Sequence, residues 1–365
     1  MRSTIVAALT VTLTLAACGG EEPPPQPPPP PPPPTETAVA TPPPADTTPP
    51  PPPKPALAEL MRDAMKGIHE SFNAHDAAKM ASFVTDDVAV YDYGGAETHS
   101  KADFQSGMSQ LFQSFSDAKT ASDRVWKKGN VVIAEVTWTG TMTGDMMGMK
   151  ATNKPVGQMR VHIYFFSDDG LVKELHEYAD GAGLVAQIEG KKTAPPVPTL
   201  PTNPPEMHLA TGDADQDKLI DFVKAGDDAF NKDDPKAVLA GTADDADVWL
   251  NFGGPAMKGK NELSVGLKRW FNAFPDQKWT TVNAWGIDGF GIIEHTMSGT
   301  QKGPLGPLRA TGKPVSNWHW VDILQPAADG KMQHDWGYAN LVEVMSQTGA
   351  LKRHEEKPAS KAPKK

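Results

Sequence analysis

Cysteine is almost missing from this chain: Cys18 stands alone among 365 residues. No disulfide can form within one molecule, so stability has to come from packed cores even in an oxidising compartment. Positive charge is also short. A net charge of -10 leaves no basic footprint, and no nucleic-acid partner is expected. The apolar run from Ile5 to Ala17 stops well short of the roughly 20 residues that span a bilayer. The histidines show no HxxxH or paired spacing for zinc. Neither a glycine-rich phosphate loop nor a Gly-x-Ser-x-Gly elbow occurs. No metal and no cofactor is therefore expected. Apolar content, 39%, is low for a globular protein, but the deficit is local, because most prolines sit near the N-terminus.

That N-terminus combines one early cation, Arg2, with a short apolar core and small residues before Cys18, the pattern of a secretory signal. Leu15-Ala16-Ala17-Cys18 resembles a bacterial lipobox. The resemblance implies cleavage before Cys18 and its acylation, so residues 1–18 are expected to supply a signal and a membrane anchor at Cys18. Gly19 after it resembles cargo sorted to the outer membrane. The expected address is the bacterial cell envelope, lipid-anchored, facing the periplasm or the surface. Residues 19–55 are mostly proline, with Pro27 to Pro34 unbroken. Such a segment favours polyproline II at ~3.1 Å per residue and reads as a stalk reaching on the order of 100 Å.

Beyond the stalk the chain repeats itself. Ala151-Thr152-Asn153-Lys154-Pro155-Val156 returns as Ala310-Thr311-Gly312-Lys313-Pro314-Val315. Phe72-Asn73 answers to Phe230-Asn231, Gly94-Gly95 to Gly253-Gly254, and Tyr178-Ala179 to Tyr338-Ala339. The offset, about 159 residues, far exceeds a solenoid repeat, so one domain is duplicated. The units are 56–192 and 213–351, with 193–212 as a linker and 352–365 as a basic, disordered tail weakly attracted to anionic lipid. Each unit opens with helical periodicity, as at Leu57, Leu60, Met61, Met65, Ile68 and Phe72. Each then runs through a short helix, a strand, a longer helix and four strands. This order predicts α+β: one antiparallel sheet with helices on one face. Each unit is expected to bury its own core and fold alone.

Phe72-Asn73-Ala74-His75-Asp76, Gly140-Thr141, and Asp169 through Asp180, with their counterparts at Phe230, Ala310 and Asp329 through Asn340, resemble the nuclear transport factor 2-like superfamily in its SnoaL-like polyketide cyclase branch. The resemblance implies two tandem cone-shaped domains, each a curved antiparallel sheet and N-terminal helices enclosing an apolar cavity. It implies no single reaction, because many chemistries share this fold.

Strand alternation puts Val172, Glu174, His176, Tyr178 and Asp180 on one face. By resemblance that face lines the cavity, and Asp180 falls where the cyclases place an acid-base aspartate. A carboxylate in an apolar pocket has its pKa raised, which suits proton transfer, and His176 could share the proton. The alternative is that Asp180 caps the helix that follows. Asp92 falls where steroid isomerases of the superfamily carry a base. Those enzymes also need an acid after the Lys-Pro-Val loop, here His162 or Asp322, and a helical tyrosine, here Ile68 or Gly226. The set is incomplete, so ketosteroid isomerisation is not expected.

Candidate catalytic residues are therefore Asp180, His176 and Asp92. Tyr91, Trp138, His162, Glu174 and Tyr178 are the candidate cavity wall of the first unit. Asp92 and Asp180 become Asn251 and Asn340 in the second, which reads as a silent binder lined by Trp249, His295, Trp320, Asp322, His334, Trp336 and Tyr338. Met142, Met146, Met147 and Met149 admit a Cu(I) reading or a plain apolar lip. Three functions stay open: a surface-tethered binder of small apolar molecules, a cyclase-, isomerase- or dehydratase-type enzyme using the first unit, and a structural module whose sheet faces pair within or between chains.

Overall fold

Two helix-backed sheets follow one another along the chain. The computed structural model describes residues 55–351, apart from Ala96, Met147, Asp213, Gly253 and Pro307. Cys18, the expected signal, the expected stalk up to Lys54, the expected tail and Met147 lie outside the described residues. The described residues all belong to one compact unit.

The first half runs α1 (Leu57–Asn73), α2 (Ala77–Ala81), β1 (Val84–Asp92), β2 (Glu97–Thr98), α3 (Lys101–Ser114), β3 (Lys119–Lys128), β4 (Val131–Thr141), β5 (Pro155–Phe166), β6 (Val172–Tyr178) and α4 (Gly181–Glu189). The helix α1 buries Met61, Ala64 and Ile68, the face its spacing marks out. Asp76 caps α2 by accepting from Lys79 N at 2.8 Å, and Ser100 caps α3 through Asp103 N at 3.1 Å.

The second half repeats this as α5 (Ala214–Asn231), α6 (Pro235–Ala240), β8 (Thr242–Leu250), β9 (Met257–Lys258), α7 (Gly259–Ala273), β10 (Lys278–Ile287), β11 (Phe290–Thr300), β12 (Pro314–Pro326), β13 (Met332–Ala339) and α8 (Leu341–Thr348). The recurring loop has a conformational reason to recur: Asn153 at φ 55 and Gly312 at φ 66 occupy the same left-handed turn.

Within each half the strands pair antiparallel except at one place. The first strand of each half pairs parallel to the last, β1 with β6 and β8 with β13, a crossover that the sequence pattern did not reveal. The expected linker also holds a strand, β7 (Glu206–Leu209). It joins the edge of the first sheet parallel to β3, with Arg124 opposite Glu206 and Lys127 opposite Leu209. Its His208 stacks on Trp126 at 5.4 Å.

The two sheets share a core. Trp126, Val131, Ile133, Val161, Ile163 and Tyr178 of the first pack with Trp285, Ile287, Phe290, Ile292, Val321, Ile323 and Tyr338 of the second. Two buried glutamates sit in this apolar layer, and the repeats serve them reciprocally. Tyr178 donates to Glu294 at 2.7 Å, and the equivalent Tyr338 donates to Glu135 at 2.6 Å. This is the pattern of a two-fold contact made inside one chain.

The groups that compensate these glutamates have traded strands. Arg124 on β3 pairs Glu135, with Nη2 at 2.7 Å from Oε1, and stacks over Trp336 at 4.0 Å. At the matching positions of the other pair, Asn283 replaces Arg124 and His176 replaces Trp336. Asn283 Nδ2 donates to Glu294 at 2.7 Å while His176 Nδ1 lies 2.6 Å from the same carboxylate. A buried carboxylate without such partners would cost several kcal/mol.

Candidate functional site

Which face of each strand turns into its cone decides the site. On β6 the row Glu174, His176 and Tyr178 faces the partner sheet, not a cavity. His176 lies between Glu294 and Glu174, the latter 2.7 Å from Nε2. The opposite row, Leu175 and Glu177, points inward, with Leu175 in the core beneath α1 and α3. On β13, likewise, Trp336 and Tyr338 belong to the shared layer, and Asp335 faces the cavity. The expected face assignment is thus reversed, which removes His176 and Tyr178 from the cavity wall.

A cavity of about 1020 Å3 occupies the second cone. Its wall is aromatic and aliphatic, with Phe230, Phe252, Trp270, Trp279, Trp320, Ile293 and Leu305 among its residues. Into this apolar space project Asp227 from α5, His295 from β11, Asp322 from β12 and Asp335 from β13.

His295 is hydrogen-bonded at one ring nitrogen and in ion-pair contact at the other. Nδ1 lies 2.7 Å from Asp227 Oδ1, and Nε2 lies 2.9 Å from Asp322 Oδ2. Thr281 Oγ1 fixes the other oxygen of Asp227 at 3.0 Å. Burial by itself would lower the imidazole pKa, but the two carboxylates beside the ring, Asp227 and Asp322, outweigh it and raise it to about 9. The ring is therefore a cation at neutral pH.

Asp335 lies on the other side of the balance. Burial, and after it the charge of Asp322, push its carboxyl well above the usual range, with His295 opposing. Its Oδ1 is buried without a hydrogen-bond partner. Glycine at position 337 makes room for the base: a Cβ there would come within 2.6 Å of Asp322 Oδ1. In the first half Glu177 stands at that position.

This geometry sets an ion-paired aspartate beside one whose carboxyl is pushed up by burial inside an apolar chamber, the split of environments that separates a base from an acid. Sequence reasoning had His295 and Asp322 as wall residues and missed Asp227 and Asp335. The available signal was the pairing of His69 with Asp227 across the repeat, one polar residue facing inward from each first helix.

Comparison with known proteins agrees with the architecture. Residues 62–188 match the family of SnoaL-like polyketide cyclases, and residues 223–334 match the SnoaL-like domain family. The chain carries two SnoaL-like domains in tandem. Among solved structures it is similar to a candidate SnoaL-like polyketide cyclase from Jannaschia sp. CCS1, at 16% identity over 38% of this chain and 94% of that one, TM-score 0.34. A candidate polyketide cyclase from Xanthomonas campestris matches at 20% identity over 36% and 99%, TM-score 0.34. An epoxide hydrolase of the LEH-like type from M. tuberculosis matches at 13% over 36% and 91%, TM-score 0.31. Likenesses at these identities concern fold. No curated protein matches the chain.

The first SnoaL-like domain holds the other expected residues differently. Its cone is packed with Phe104, Phe112, Val90, Val136 and Leu175, and Trp138 and Met142 lie in a second buried cluster. Met146 and Met149 pack against that cluster as an apolar lip, and among the described residues no metal-binding group of His, Cys, Asp and Glu occurs. His162 reaches Glu177 at 3.1 Å and Tyr164 Oη at 2.9 Å. Asp92 is half-buried. Desolvation, then Glu177, raise it to about 7 against the pull of Arg160.

Asp180 and Asn340 meet where α4 and α8 begin. Asp180 accepts from Gly183 N at 2.9 Å. Asn340 accepts from Val342 N at 3.0 Å and from Gly181 N of the other domain at 3.1 Å, while its Nδ2 donates to Tyr93 O at 2.7 Å. Desolvation raises Asp180 to about 6 against the backbone N–H groups of Gly183, Ala182 and Leu341. A second carboxylate at 340 could not donate to Tyr93 and would repel the first. The Asp/Asn difference between the repeats is thus explained by two helix caps that touch.

Asn251 is likewise structural, bonded to Ala339 O at 3.0 Å and Ala339 N at 3.1 Å. It still borders the cavity, as Asp180 does. Tyr91 lies edge-on to His176 at 5.4 Å, and Trp249 edge-on to Tyr338 at the same distance. His334 pairs with Asp247 and stacks on Trp336. Tyr91, Trp249, His334 and Trp336 do not line the second cavity.

Proposed function

We propose that the second SnoaL-like domain binds a small, mostly apolar molecule and moves a proton on it. The carrying observation is the Asp227–His295–Asp322 chain beside the buried, unpartnered carboxyl oxygen of Asp335 in a cavity of about 1020 Å3. Asp322 takes a proton from a carbon next to a carbonyl, or from a hydroxyl, and Asp335 gives one to the oxygen that gains negative charge. Charge is conserved over the pair, as isomerisation, dehydration or ring closure requires. His295 and Asp227 position the base and hold its charge. The first domain contributes wall and support, which reverses the roles expected from the Asp-to-Asn differences.

The test is carbon-bound hydrogen exchange of a bicyclic ketone, 2-decalone, in D2O with the full chain. Asp322→Asn should slow protein-dependent exchange at least about a hundredfold, and Asp92→Asn should leave it unchanged. Exchange lost in Asp92→Asn and kept in Asp322→Asn would move the chemistry back to the first domain.

We further infer that acylation at Cys18 tethers this ligand-binding pair to the bacterial envelope, supported by Leu15-Ala16-Ala17-Cys18 and the proline stalk. Cys18→Ala should shift the chain from the membrane fraction to the soluble one. Persistence with membranes after a salt wash would rule the anchor out.

A further inference from the structure

The charged residues that border the second cavity are sorted by depth. Asp180, Asp227, Asp322 and Asp335 are its carboxyl groups. Asp180 and Asp227 are buried and Asp322 and Asp335 largely so. Besides His295, which is buried between Asp227 and Asp322, its cations are Lys191 and Arg269, both exposed at the mouth. They come from different domains. The helix α4 ends at Gly190, in the left-handed conformation at φ 71, and that turn delivers Lys191 from the first domain. Arg269 stands on α7 of the second, beside Trp270, whose ring is part of the cavity wall. Lys191 pairs with Glu189. Among the described residues Arg269 forms no ion pair.

From this sorting we propose that the second cavity selects amphipathic carboxylic acids, with the apolar body inside and the carboxylate at the mouth between Lys191 and Arg269. The proposal rests on the reading of this cavity as a ligand site. A carboxylate inserted head-first would meet two carboxylates, Asp227 and Asp322, that share the single cation His295, a net negative charge in a poorly solvated space, where like charges repel strongly. Inserted tail-first, it leaves its charge in water beside two cations and its chain against aromatic rings. A cationic head would face the opposite bias at the mouth. Because one of the two cations belongs to the first domain, the tandem arrangement itself completes the site.

Binding of decanoate, methyl decanoate and decyltrimethylammonium to the full chain is read from tryptophan fluorescence, since Trp270, Trp279 and Trp320 line the cavity. Decanoate should bind about fivefold tighter than its ester, the range expected of solvent-exposed charge pairs, and the ammonium weakest. The acid–ester ratio should fall toward one in 0.5 M salt and in the double variant Lys191→Met, Arg269→Gln, with ester affinity unchanged. Equal binding of acid and ester in the wild type, or an ammonium that binds best, would overturn the head-group proposal and leave the apolar cavity standing. Failure of all three to bind would overturn both.

Discussion

Severed between Lys192 and Asp213, the two SnoaL-like domains are expected to fail as monomers. Each carries a full set of helices and strands, the reason to expect independent folding from sequence. The shared layer argues otherwise. Separation re-exposes six large side chains on one half and seven on the other, at roughly 1.5–3 kcal/mol each. That sum rivals the entire stability of a typical domain, about 5–15 kcal/mol. Separation also strands Glu294 without Tyr178 and His176, and Glu135 without Tyr338.

Because the contact is quasi-symmetric, each half can regain partners by pairing with a second copy. The first half is the better candidate, since its Arg124 already neutralises Glu135. Light scattering on the separated halves should report dimers or larger species. Strand β7 must stay with the first half, or Trp126 and Val125 lose their neighbouring strand. A cooperatively melting monomer of either half would mean that the interface adds little.

Much of this architecture was legible in the sequence, because the duplicated motif and the helix-then-strand order are local signals. The helical face of α1 and the strand limits of β3 to β6 follow from periodicity within each element. Two features were hidden because they depend on what lies across a gap. Alternation along β6 sorted His176 and Tyr178 from Leu175 and Glu177 but could not say which row turned inward. In an isolated cone the outer face would be polar. Here both faces of each sheet are apolar, so hydrophobicity carried no sign.

The site suffered similarly. Asp180 and Asn340 differ conspicuously, and the difference drew attention to the first domain, yet its cause is the meeting of two helix ends. Asp227 stood out only as the counterpart of His69 across the repeat, and Asp335 gave no pattern of its own. Their meaning comes from converging with His295 and Asp322 from three other elements, and only folding brings that about.

Raising the pH from 7 to 9 should destabilise the protein through His295. The imidazole is raised to about 9 in the folded state from 6.5 when unfolded, so the native chain holds a proton that the unfolded chain releases. The stabilisation is complete below pH 6.5 and disappears as pH climbs through about 9. A shift of this size corresponds to about 3 kcal/mol, or about 2–4 °C of melting temperature per kcal/mol in a unit of this length. The direction is reinforced by His176, where burial is overcome by Glu294 and Glu174 and the ring is again raised. Asp92 and Asp180 act in the same sense, but at about 7 and about 6 their contribution is mostly spent before the window opens. His69, lowered to about 4 by burial and then by His162, titrates on the acid side and leaves the window clear.

Thermal melts at pH 7, 8 and 9 should therefore fall steadily for the wild type. His295→Gln should start lower, because its uncharged amide leaves Asp227 and Asp322 without a cation, and it should vary much less with pH. A wild-type melting curve that is flat across this range would mean that the folded ring is neutral. Asp322 would then lose its ion-pair partner, and the assignment of base and acid within the cavity would fail with it.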